Sequence, residues 1–457
     1  MNTNLCPSLF KPTTAVDGVL TRIRIPFGIL SYEQVEAIAL TSDSIHITNR
    51  ANIQIRTTEP LSDLVLKDFQ KLGLAAPNPD LDHLRNIMIS PTAGIDTQAL
   101  LDTRPLAIAW QEYIDTHPEL AILSPKFSLG IDGGEAVSIT NQRNDICLQA
   151  ITYNQQIYFS LHLVNFFTGI LISPEHTLDV LKVLTEIYRN FTLQKSFQKF
   201  DQKLPRLRDL IDEWGITAYV NTLQELLGYE LEKLDELREN LENYYQHLGI
   251  HNQKQSEYSY MGIVLPLGRL SSKQFRSLGK ISKSLRLTPF QNLIIPNIPN
   301  EKLDEVKTQI LELGLSISKN HPYAGMVACS GITGCKSSLT DTQTDGRAIA
   351  SYLEKSITLD RPLSIHLTGC EKSCAYHQTS DITLLGIDID TYEVFVGDRN
   401  RELGRYQKSE LPNLISELID NYQLDPKNGD RSFKTFVNSS MIAQNSDLFD
   451  PRIRRHK

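Results

Sequence analysis

Long apolar runs, an excess of positive charge and a nucleotide-binding glycine signature are all missing from this 457-residue sequence. The longest apolar stretch, IYFSLHLVNFFTGILI at 157–172, is broken by polar residues and is too short to span a bilayer. The formal net charge of −8 argues against a nucleic-acid partner. No glycine-rich turn follows a predicted strand, as a flavin or NAD site would require. We therefore expect no membrane segment, no nucleic acid, and a small molecule as the ligand.

The first residues, MNTNLCPSLFKPTTAVDG, lack the basic and apolar regions of a secretory signal, which predicts a cytoplasmic protein. The chain has only six cysteines, and four of them fall within residues 329–374. In a reducing compartment such a group favours a metal or redox centre over disulfides.

The chain repeats itself. Residues 25–31 (IPFGILS) align with residues 265–271 (LPLGRLS), 240 positions later. Further matches in or near this register are Thr48 with Thr288, Asn52 with Asn292 and, at 241 positions, Gly73 with Gly314. Agreement over about 50 residues indicates an internal duplication.

Each copy predicts the same order of elements. In the first copy, LTRIRI, HIT and NIQIR are typical of strands, and SYEQVEAIAL has helical spacing. SDLVLKDFQKLGL predicts a helix that begins after Ser62 and stops at Gly73. The order strand, helix, strand, strand, helix predicts an antiparallel sheet with helices on one face, and we expect the two copies to pair about a pseudo-twofold axis.

Four cysteines form two short motifs, C-x5-C at Cys329 and Cys335 and C-x3-C at Cys370 and Cys374. Four thiolates on two loops from adjacent strand ends can surround a 4Fe-4S cubane. The glycines beside them, which let backbone N–H groups approach the sulfides, are Gly331, Gly334 and Gly369. A structural zinc site and two unrelated pairs of buried cysteines are the alternatives, although the five-residue gap is long for zinc.

Arg50 breaks the symmetry of the repeat, because Phe290 stands at the equivalent position while the Thr and Asn around it occur in both copies. A charge kept in one copy indicates a one-sided ligand site. The alternative is an exposed strand residue in one copy and a core residue in the other.

The pattern C-x5-C followed by GC-x3-C, downstream of a duplicated half-domain, resembles the siroheme nitrite and sulfite reductase superfamily. The resemblance covers about residues 18–400 and includes RLRDLIDEWGI at 206–216. It implies an α+β, internally duplicated fold with two pseudo-twofold-related ferredoxin-like half-domains and two larger α+β halves that bind a cluster and a tetrapyrrole. It also implies that Cys374 is the ligand nearest the tetrapyrrole.

The expected boundaries follow from the same resemblance. They are 15–80 for the first half-domain, 81–200 for the first tetrapyrrole-binding copy, 201–256 for a helical connector with a solvated charged face, 257–320 for the second half-domain, 321–425 for the iron–sulfur copy, and 426–457 for a loose terminal arm.

Three cations resemble the anion-binding side chains of the reductases and are the expected catalytic and ligand-binding residues: Arg50, Arg85 and Lys126. Bidentate pairs between arginine and carboxylate would clamp the acetate and propionate groups of a tetrapyrrole. Ser128 departs from the sulfite reductases, which have a second lysine there, so the resemblance favours nitrite over sulfite.

Several stretches resemble the precorrin-3B synthases of cobalamin biosynthesis more closely than the reductases: TNRANIQIR, SPKFSLGIDGG, LRLTPFQNLIIP, VACSGITGC and GCEKSCAYHQTSDITLLG. At Glu371, Lys372 and Ala375 the reductases usually have Pro, Asn and Gly. This resemblance implies oxygen-dependent hydroxylation of precorrin-3A at C-20 with γ-lactone formation, and it is our expected function.

That chemistry would add a mononuclear non-haem iron to the cubane. The sequence assigns it no ligands, although His366, His377 and Asp132 are near the relevant loops. The alternative function is a nitrite or sulfite reductase with bound siroheme, and a non-catalytic electron carrier or tetrapyrrole-binding protein is a third. We expect an external donor such as ferredoxin and a monomer, because the repeat already supplies the symmetry of a homodimer.

Overall fold

The computed structural model describes residues 7–198, 204–237, 245–397, 401–425 and 432–439. The chain divides into two compact units, of which unit 1 comprises 1–13, 19–262 and 271–306 and unit 2 comprises 14–18, 263–270 and 307–457. None of the described helices combines the length and the apolar character needed to cross a membrane.

The strands are, in chain order, β1 (Thr13–Ala15), β2 (Gly18–Ile23), β3 (Ile29–Ser31), β4 (Ser44–Ile47), β5 (Ile53–Thr57), β6 (Ile87–Ile89), β7 (Leu129–Asp132), β8 (Ile146–Tyr153), β9 (Gln156–Leu163), β10 (Phe166–Ile172), β11 (Glu232–Lys233), β12 (Gly249–Asn252), β13 (Tyr258–Ile263), β14 (Arg269–Ser271), β15 (Ser284–Leu287), β16 (Leu293–Pro299), β17 (Met326–Ala328), β18 (Ile365–Thr368), β19 (Ile382–Gly386), β20 (Thr391–Val396) and β21 (Arg401–Gln407).

The α-helices are α1 (Tyr32–Ala39), α2 (Asp63–Lys71), α3 (Arg104–Thr116), α4 (Thr177–Gln198), α5 (Leu207–Trp214), α6 (Ile216–Leu227), α7 (Ser272–Ser282), α8 (Leu303–Glu312), α9 (Gly331–Gly334), α10 (Thr342–Ser356), α11 (Leu411–Gln423) and α12 (Phe433–Ser439).

The duplication predicted from the sequence is present in the element order, since β2-α1-β4-β5-α2 in the first copy is repeated as β13-α7-β15-β16-α8 in the second. The antiparallel pairing is repeated as well, with β5 between β2 and β4 and with β16 between β13 and β15. Alternate apolar residues of these strands are buried, among them Ile45, Ile53 and Ile55. The alternating pattern in the sequence therefore reported the buried face correctly.

Local backbone features repeat in the same register. Positive φ occurs at non-glycine residues that are equivalent in the two copies, namely Phe27 and Leu267, and Ala51 and Gln291. The predicted helix stop at Gly73 and its equivalent Gly314 both have φ of 71°. Because left-handed conformations are costly for side chains other than glycine, their recurrence indicates that both copies inherited one backbone.

Equivalent elements of the two copies also contact each other within unit 1. Helix α1 packs on α7, where a Cβ atom on Gly279 would lie 2.9 Å from Val35 Cγ1. Glu36 and Arg276, which are equivalent positions, form an ion pair of 3.0 Å. Strand β3 of the first copy adds to the second copy's sheet beside β15. Contacts between equivalent elements are what a pseudo-twofold axis requires.

The larger half in unit 1 is a sheet in the order β11-β10-β9-β8-β7-β6. Strands β6, β7 and β8 are parallel, and β8 to β11 are antiparallel. Trp110 of α3, Tyr188 of α4 and Tyr219 of α6 are buried against this sheet in one apolar core.

Unit 2 contains a sheet of the same kind, in the order β17-β18-β19-β20-β21. Its first three strands are parallel and the remaining pairs are antiparallel. Helices α10 and α11 pack together, and the core includes Ile349 and Ile415 from them. The larger half is therefore duplicated along with the half-domain.

Two expectations from composition differ from the structure. The segment 201–256 is not a solvated helical connector throughout, because its helices α5 and α6 bury Leu207, Tyr219 and Leu223 in the core of unit 1 and the later residues form β11 and β12. Residues 199–203 and 238–244 lie outside the described residues.

The expected terminal arm contains α12, whose Phe433 and Phe436 are buried in the core of unit 2. Both aromatic side chains pack on Tyr422 of α11. This helix is therefore part of the unit, while 426–431 and 440–457 lie outside the described residues.

Candidate functional site

The four clustered cysteines follow two neighbouring parallel strands of unit 2. Cys329 comes directly after β17, and Cys370 follows β18 after one glycine. In this sheet Ala328 is paired with Leu367, and the Cys329 amide donates to the Leu367 carbonyl at 3.1 Å. Parallel neighbours end at the same edge of a sheet, so the topology brings together two motifs that are 35 residues apart in sequence.

The loops that carry them, the first cysteine loop (329–340) and the second cysteine loop (369–374), are tied to each other by backbone groups. The Gly369 amide donates to Cys329 Sγ at 3.3 Å. The Leu339 amide donates to the Gly369 carbonyl at 2.8 Å. N–H groups directed at cysteine sulfur are the interaction that tunes an iron–sulfur centre.

Cys335 is placed by the single turn of α9, since its amide donates to the Gly331 carbonyl at 2.9 Å. Gly331 has φ of 68°, a conformation that favours glycine. Behind this loop the Tyr392 hydroxyl donates to Asp345 Oδ2 at 2.6 Å, and the Thr340 hydroxyl bonds to the same carboxylate at 3.2 Å. Burial raises the pKa of Tyr392, so this phenol stays protonated and keeps donating.

Cys374 is the most exposed of the four. Partial burial and then the thiols of Cys370, Cys335 and Cys329 raise its pKa, while Lys372 acts in the opposite direction. All four thiols are therefore close enough to interact, which fits a four-thiolate cluster. The cysteine site is defined from here on as Cys329, Cys335, Cys370 and Cys374.

A separate site for one metal ion finds no support. Within the described residues, no group of three or more His, Cys, Asp and Glu side chains, the four cysteines included, is drawn together closely enough to share one metal ion. Asp132 lies in unit 1 and its Oδ2 accepts from the Ser138 hydroxyl and the Ile139 amide. His366 lies in unit 2, buried on β18 and edge-on to Tyr376. The mononuclear iron expected from the sequence has no ligand set in the described parts of the chain.

The cationic candidates lie in unit 1. Arg50 follows β4 in a tight turn and is partly buried, with its Nη1 donating to Asn144 Oδ1 at 2.9 Å. Burial lowers its pKa, Asp145 raises it, and Arg206 and Arg143 lower it further. Arg50 and Arg206 thus both lie near Asp145, and Arg143 is an exposed arginine near Arg50. Arg50, Arg143 and Arg206 are called the arginine group below.

Arg143 and Arg206 were not among the residues predicted from the sequence. Arg206 comes directly before α5, and its Nε is buried without a hydrogen-bond partner in the described chain. A buried cationic donor left unpaired is costly unless a ligand satisfies it. The signal available in the sequence was the RLRDLIDEWGI stretch, which begins at Arg206.

Ser128, at the position where sulfite reductases have a lysine, is buried and faces Asp145. Its hydroxyl donates to Asp145 Oδ2 at 3.3 Å and accepts from the Asp145 amide at 3.2 Å. Burial raises the pKa of Asp145, and Arg206 and Arg50 lower it. A hydroxyl rather than a second cation therefore lies beside the carboxyl group of Asp145, which has Arg50 and Arg206 near it.

The contacts of the Arg85 guanidinium are with other groups of unit 1. It is buried, its Nη2 donates to the Gly73 carbonyl at 2.5 Å, and its Nη1 lies 3.6 Å from Asp82 Oδ1. Asp82 also pairs with Arg24 at 3.7 Å. The guanidinium thus ties the C-terminal end of α2 to the following turn, and a ligand-binding role for Arg85 stays a prediction.

Lys126 is exposed, and its amide donates to the Ser124 hydroxyl at 3.3 Å. It lies in unit 1 with the arginine group, two residues before Ser128. Its role in anion binding also stays a prediction.

Comparison with known families matches both kinds of domain. Residues 81–231 match the "Nitrite and sulphite reductase 4Fe-4S domain" and residues 251–313 match the "Nitrite/Sulfite reductase ferredoxin-like half domain". The first match covers the larger half of unit 1, with Arg85 and Lys126, whereas the cysteine site lies in the second copy, outside that range.

The chain is 29% identical over 453 residues to the ferredoxin–nitrite reductase of Synechococcus elongatus, covering 88% of this chain and 85% of that protein. It is 28% identical over 449 residues to the chloroplastic ferredoxin–nitrite reductase of Spinacia oleracea, with coverages of 88% and 75%. It is 26% identical over 403 residues to sulfite reductase (ferredoxin) 2 of Mycolicibacterium paratuberculosis, with coverages of 82% and 71%.

Among solved structures, the Mycobacterium tuberculosis NirA protein matches with a TM-score of 0.77 and 21% identity, over 92% of this chain and 84% of that chain. The predicted fold, an α+β nitrite and sulfite reductase fold with ferredoxin-like half-domains, is confirmed. The comparisons support an iron–sulfur oxidoreductase related to the nitrite and sulfite reductases; they do not support the narrower expectation of a precorrin-3B synthase.

Proposed function

We propose that this chain, which carries both domain types of the nitrite and sulfite reductase superfamily, is a ferredoxin-dependent nitrite reductase with a 4Fe-4S cluster and a siroheme. The observation that carries the proposal is the convergence of four cysteine thiols at the ends of β17 and β18, with a backbone N–H directed at Cys329 Sγ. The reaction would consume six electrons and eight protons per nitrite and release ammonium and two waters.

Four thiolates are the ligand set of a 4Fe-4S cluster. The cysteine site would hold it, and the partial exposure of Cys374 leaves one side of the site open. A reaction that needs several electrons requires a one-electron carrier outside the chain. The names of the nitrite reductases from Synechococcus elongatus and Spinacia oleracea support ferredoxin as that carrier.

The arginine group would hold the carboxylates of the tetrapyrrole. Arg50 and Arg206 are partly buried, so their pairing with a carboxylate would be less screened than on an open surface. When bound, siroheme supplies an iron that can take nitrite as a ligand. Lys126 is the exposed cation of unit 1 that the resemblance assigns to anion binding.

Nitrite is favoured over sulfite because of Ser128. A sulfite dianion carries more charge than nitrite, and at Ser128 the chain offers a buried hydroxyl bonded to Asp145 in place of a second cation. We therefore expect nitrite to be reduced much faster than sulfite under the same conditions.

Precorrin-3B synthase activity is the second candidate. The observation that favours it is the C-x3-C turn, where Glu371, Lys372 and Ala375 replace residues usual in the reductases. In that case precorrin-3A would occupy the tetrapyrrole site as a substrate and no siroheme would be retained.

Anaerobic purification followed by an absorption spectrum and acid–solvent extraction separates these candidates. A siroheme-type spectrum with extractable pigment, together with nitrite reduction by reduced ferredoxin, is the expected result. An iron–sulfur absorbance without extractable tetrapyrrole, combined with turnover of precorrin-3A and O₂ and none of nitrite, would replace the proposal by the second candidate.

Arginine variants test the tetrapyrrole part separately from the cluster. Arg50→Met and Arg206→Met are expected to lose bound siroheme, so total iron should fall from about five to about four per chain while acid-labile sulfide stays at about four, since the cysteine site is in the other unit. Arg208→Met, which removes an exposed arginine of α5, is the matched control and should retain siroheme. Full siroheme content in both arginine-group variants would contradict the assignment.

A further inference from the structure

Lys372 joins the two cysteine loops through its side chain. It lies midway in the C-x3-C motif, and its Nζ donates to the Ser337 hydroxyl at 3.1 Å. Ser337 follows Cys335 by two residues on the first cysteine loop. One side chain therefore connects the middle of one motif to the end of the other.

The turn that Lys372 belongs to is strained. Ser373 has φ of 49°, in the left-handed region, and its amide donates to the Cys370 carbonyl at 3.3 Å. Such a conformation is unfavourable for a residue other than glycine and persists where surrounding contacts hold it. The backbone links through Gly369 hold the beginning of this loop, and the Lys372 link holds its middle.

Lys372 also places an ammonium beside the first cysteine loop, because its Nζ is held at the hydroxyl of Ser337, two residues after Cys335. Each electron added to a cubane adds one negative charge, so a fixed positive charge close to it stabilises the reduced form more than the oxidised form. Glu371 is the neighbouring exposed side chain and carries the opposite charge. Removing this negative charge should stabilise the reduced cluster and so raise its reduction potential.

We propose that Lys372 is a positioning residue of the iron–sulfur centre, which holds the second cysteine loop against Ser337 and raises the reduction potential of the cluster. The inference rests on the proposed function only in requiring a cubane at the cysteine site, and it applies to the reductase and to the synthase alike. It also gives a physical role to the difference from the reductases at this position. The reductases usually have Asn there, whose side-chain amide is neutral and short, whereas Lys372 is charged and long enough to bond to Ser337.

The test uses the anaerobically purified full chain, first checked for iron and sulfide content. Redox titration monitored by electron paramagnetic resonance gives the potential of the cluster, and the rate of iron loss to a chelator reports how firmly the loops hold it. Lys372→Gln should shift the potential to a more negative value and speed iron loss several-fold. Ser337→Ala keeps the charge and removes the link, so it should speed iron loss with a smaller shift of potential.

Two matched controls separate the local charge from a general loss or gain of charge. Lys355→Gln removes an exposed lysine at the far end of α10, about 20 Å along that helix from its start beside Cys329, and should leave the potential unchanged. Glu371→Gln should not lower the potential. A wild-type chain without a cluster would overturn the proposed function itself. An intact cluster whose potential and iron loss are the same in Lys372→Gln as in the wild type would overturn the role of Lys372 alone.

Discussion

Gly369 shows how a single missing Cβ atom permits the cysteine site. A Cβ atom at this position would lie 1.7 Å from Ser338 Oγ and 2.8 Å from Ser338 Cβ, which no real contact allows. The absent side chain lets the Gly369 amide reach Cys329 Sγ and lets its carbonyl accept from Leu339. The glycine before the second motif is therefore required by packing between the two cysteine loops.

We predict that Gly369→Ala lowers cluster incorporation by at least half, because either Ser338 or the second cysteine loop must move. The measurement is iron and acid-labile sulfide per chain after anaerobic purification. The double variant Gly369→Ala with Ser338→Gly removes the clashing atoms and should recover part of the cluster, with Ser338→Gly alone as the control. Equal loss in the single and double variants would contradict the packing argument.

The cysteine site was predictable at the residue scale because C-x5-C and C-x3-C are themselves the chemical signal. The arginine group was only half predictable. Arg50 was marked by its mismatch with Phe290, but the buried Nε of Arg206 depends on the fold. Arg85 was assigned by resemblance alone, and its ion pair with Asp82 could not be seen in a linear pattern.

At the scale of elements, the two copies begin their first helix in the same way. Ser31 accepts from the Gln34 amide at 3.3 Å and Ser271 accepts from the Gln274 amide at 3.2 Å. In return each glutamine side chain accepts from the serine amide at 2.9 Å. These are two matched capping boxes, each of which satisfies donors that a helix N-terminus leaves unpaired.

We predict that Ser31→Ala and Ser271→Ala each weaken the helix that follows by about 1 kcal/mol. Hydrogen exchange measured by mass spectrometry should then be about fivefold faster in 32–39 for the first variant and in 272–282 for the second. Each variant is the control for the other, because the copies share one capping geometry. Unchanged exchange in both helices would mean that packing of α1 on α7, and not the cap, limits their opening.

Elements with clear periodicity were predicted with the right type, including α1, α2 and the strands beside them. The misinterpreted segment was 201–256, where abundant Glu, Leu and Lys favour helix in isolation. The segment does form α5 and α6, but its later residues form β11, which pairs with Ile170 and Leu171 of β10, and β12, which pairs with β13. Edge positions in existing sheets override helix propensity there, and no local signal reports them.

At the scale of the whole molecule, the duplication gives each larger half the same pair of loops, one after the first parallel strand and one after the second. In unit 2 these loops carry the cysteine site. In unit 1, Asp96 in the loop after β6, Asp132 at the end of β7 and Glu135 in the loop after β7 are buried carboxyl groups. One scaffold thus presents thiols in one copy and carboxyl groups in the other, which is why the repeat was evident in the half-domains but not in the site-bearing loops.

The carboxyl group of Glu135 makes the stability of unit 1 depend on pH. Burial and then the neighbouring Asp132 and Asp96 raise its pKa to about 8, while its Oε2 accepts from the Gly133 amide at 2.6 Å. A carboxyl whose pKa is higher in the folded state than in the unfolded state stabilises the fold when protonated. Its contribution, on the order of a few kcal/mol, is complete below the unfolded pKa near 4.5 and is lost as the pH rises through 8.

Glu135→Gln keeps an acceptor for the Gly133 amide and cannot ionise, so we predict that its thermal midpoint falls less than that of the wild type between pH 6 and about 9. Both tryptophans of the chain, Trp110 and Trp214, lie in unit 1, so tryptophan fluorescence follows that unit alone. Glu112→Gln, which removes an exposed carboxyl of α3 beside Trp110, should keep the wild-type profile. If the thermal midpoints of the wild type and of Glu135→Gln changed equally with pH, the prediction would be wrong. The Glu135 carboxyl would then already be ionised in the folded chain throughout this pH range.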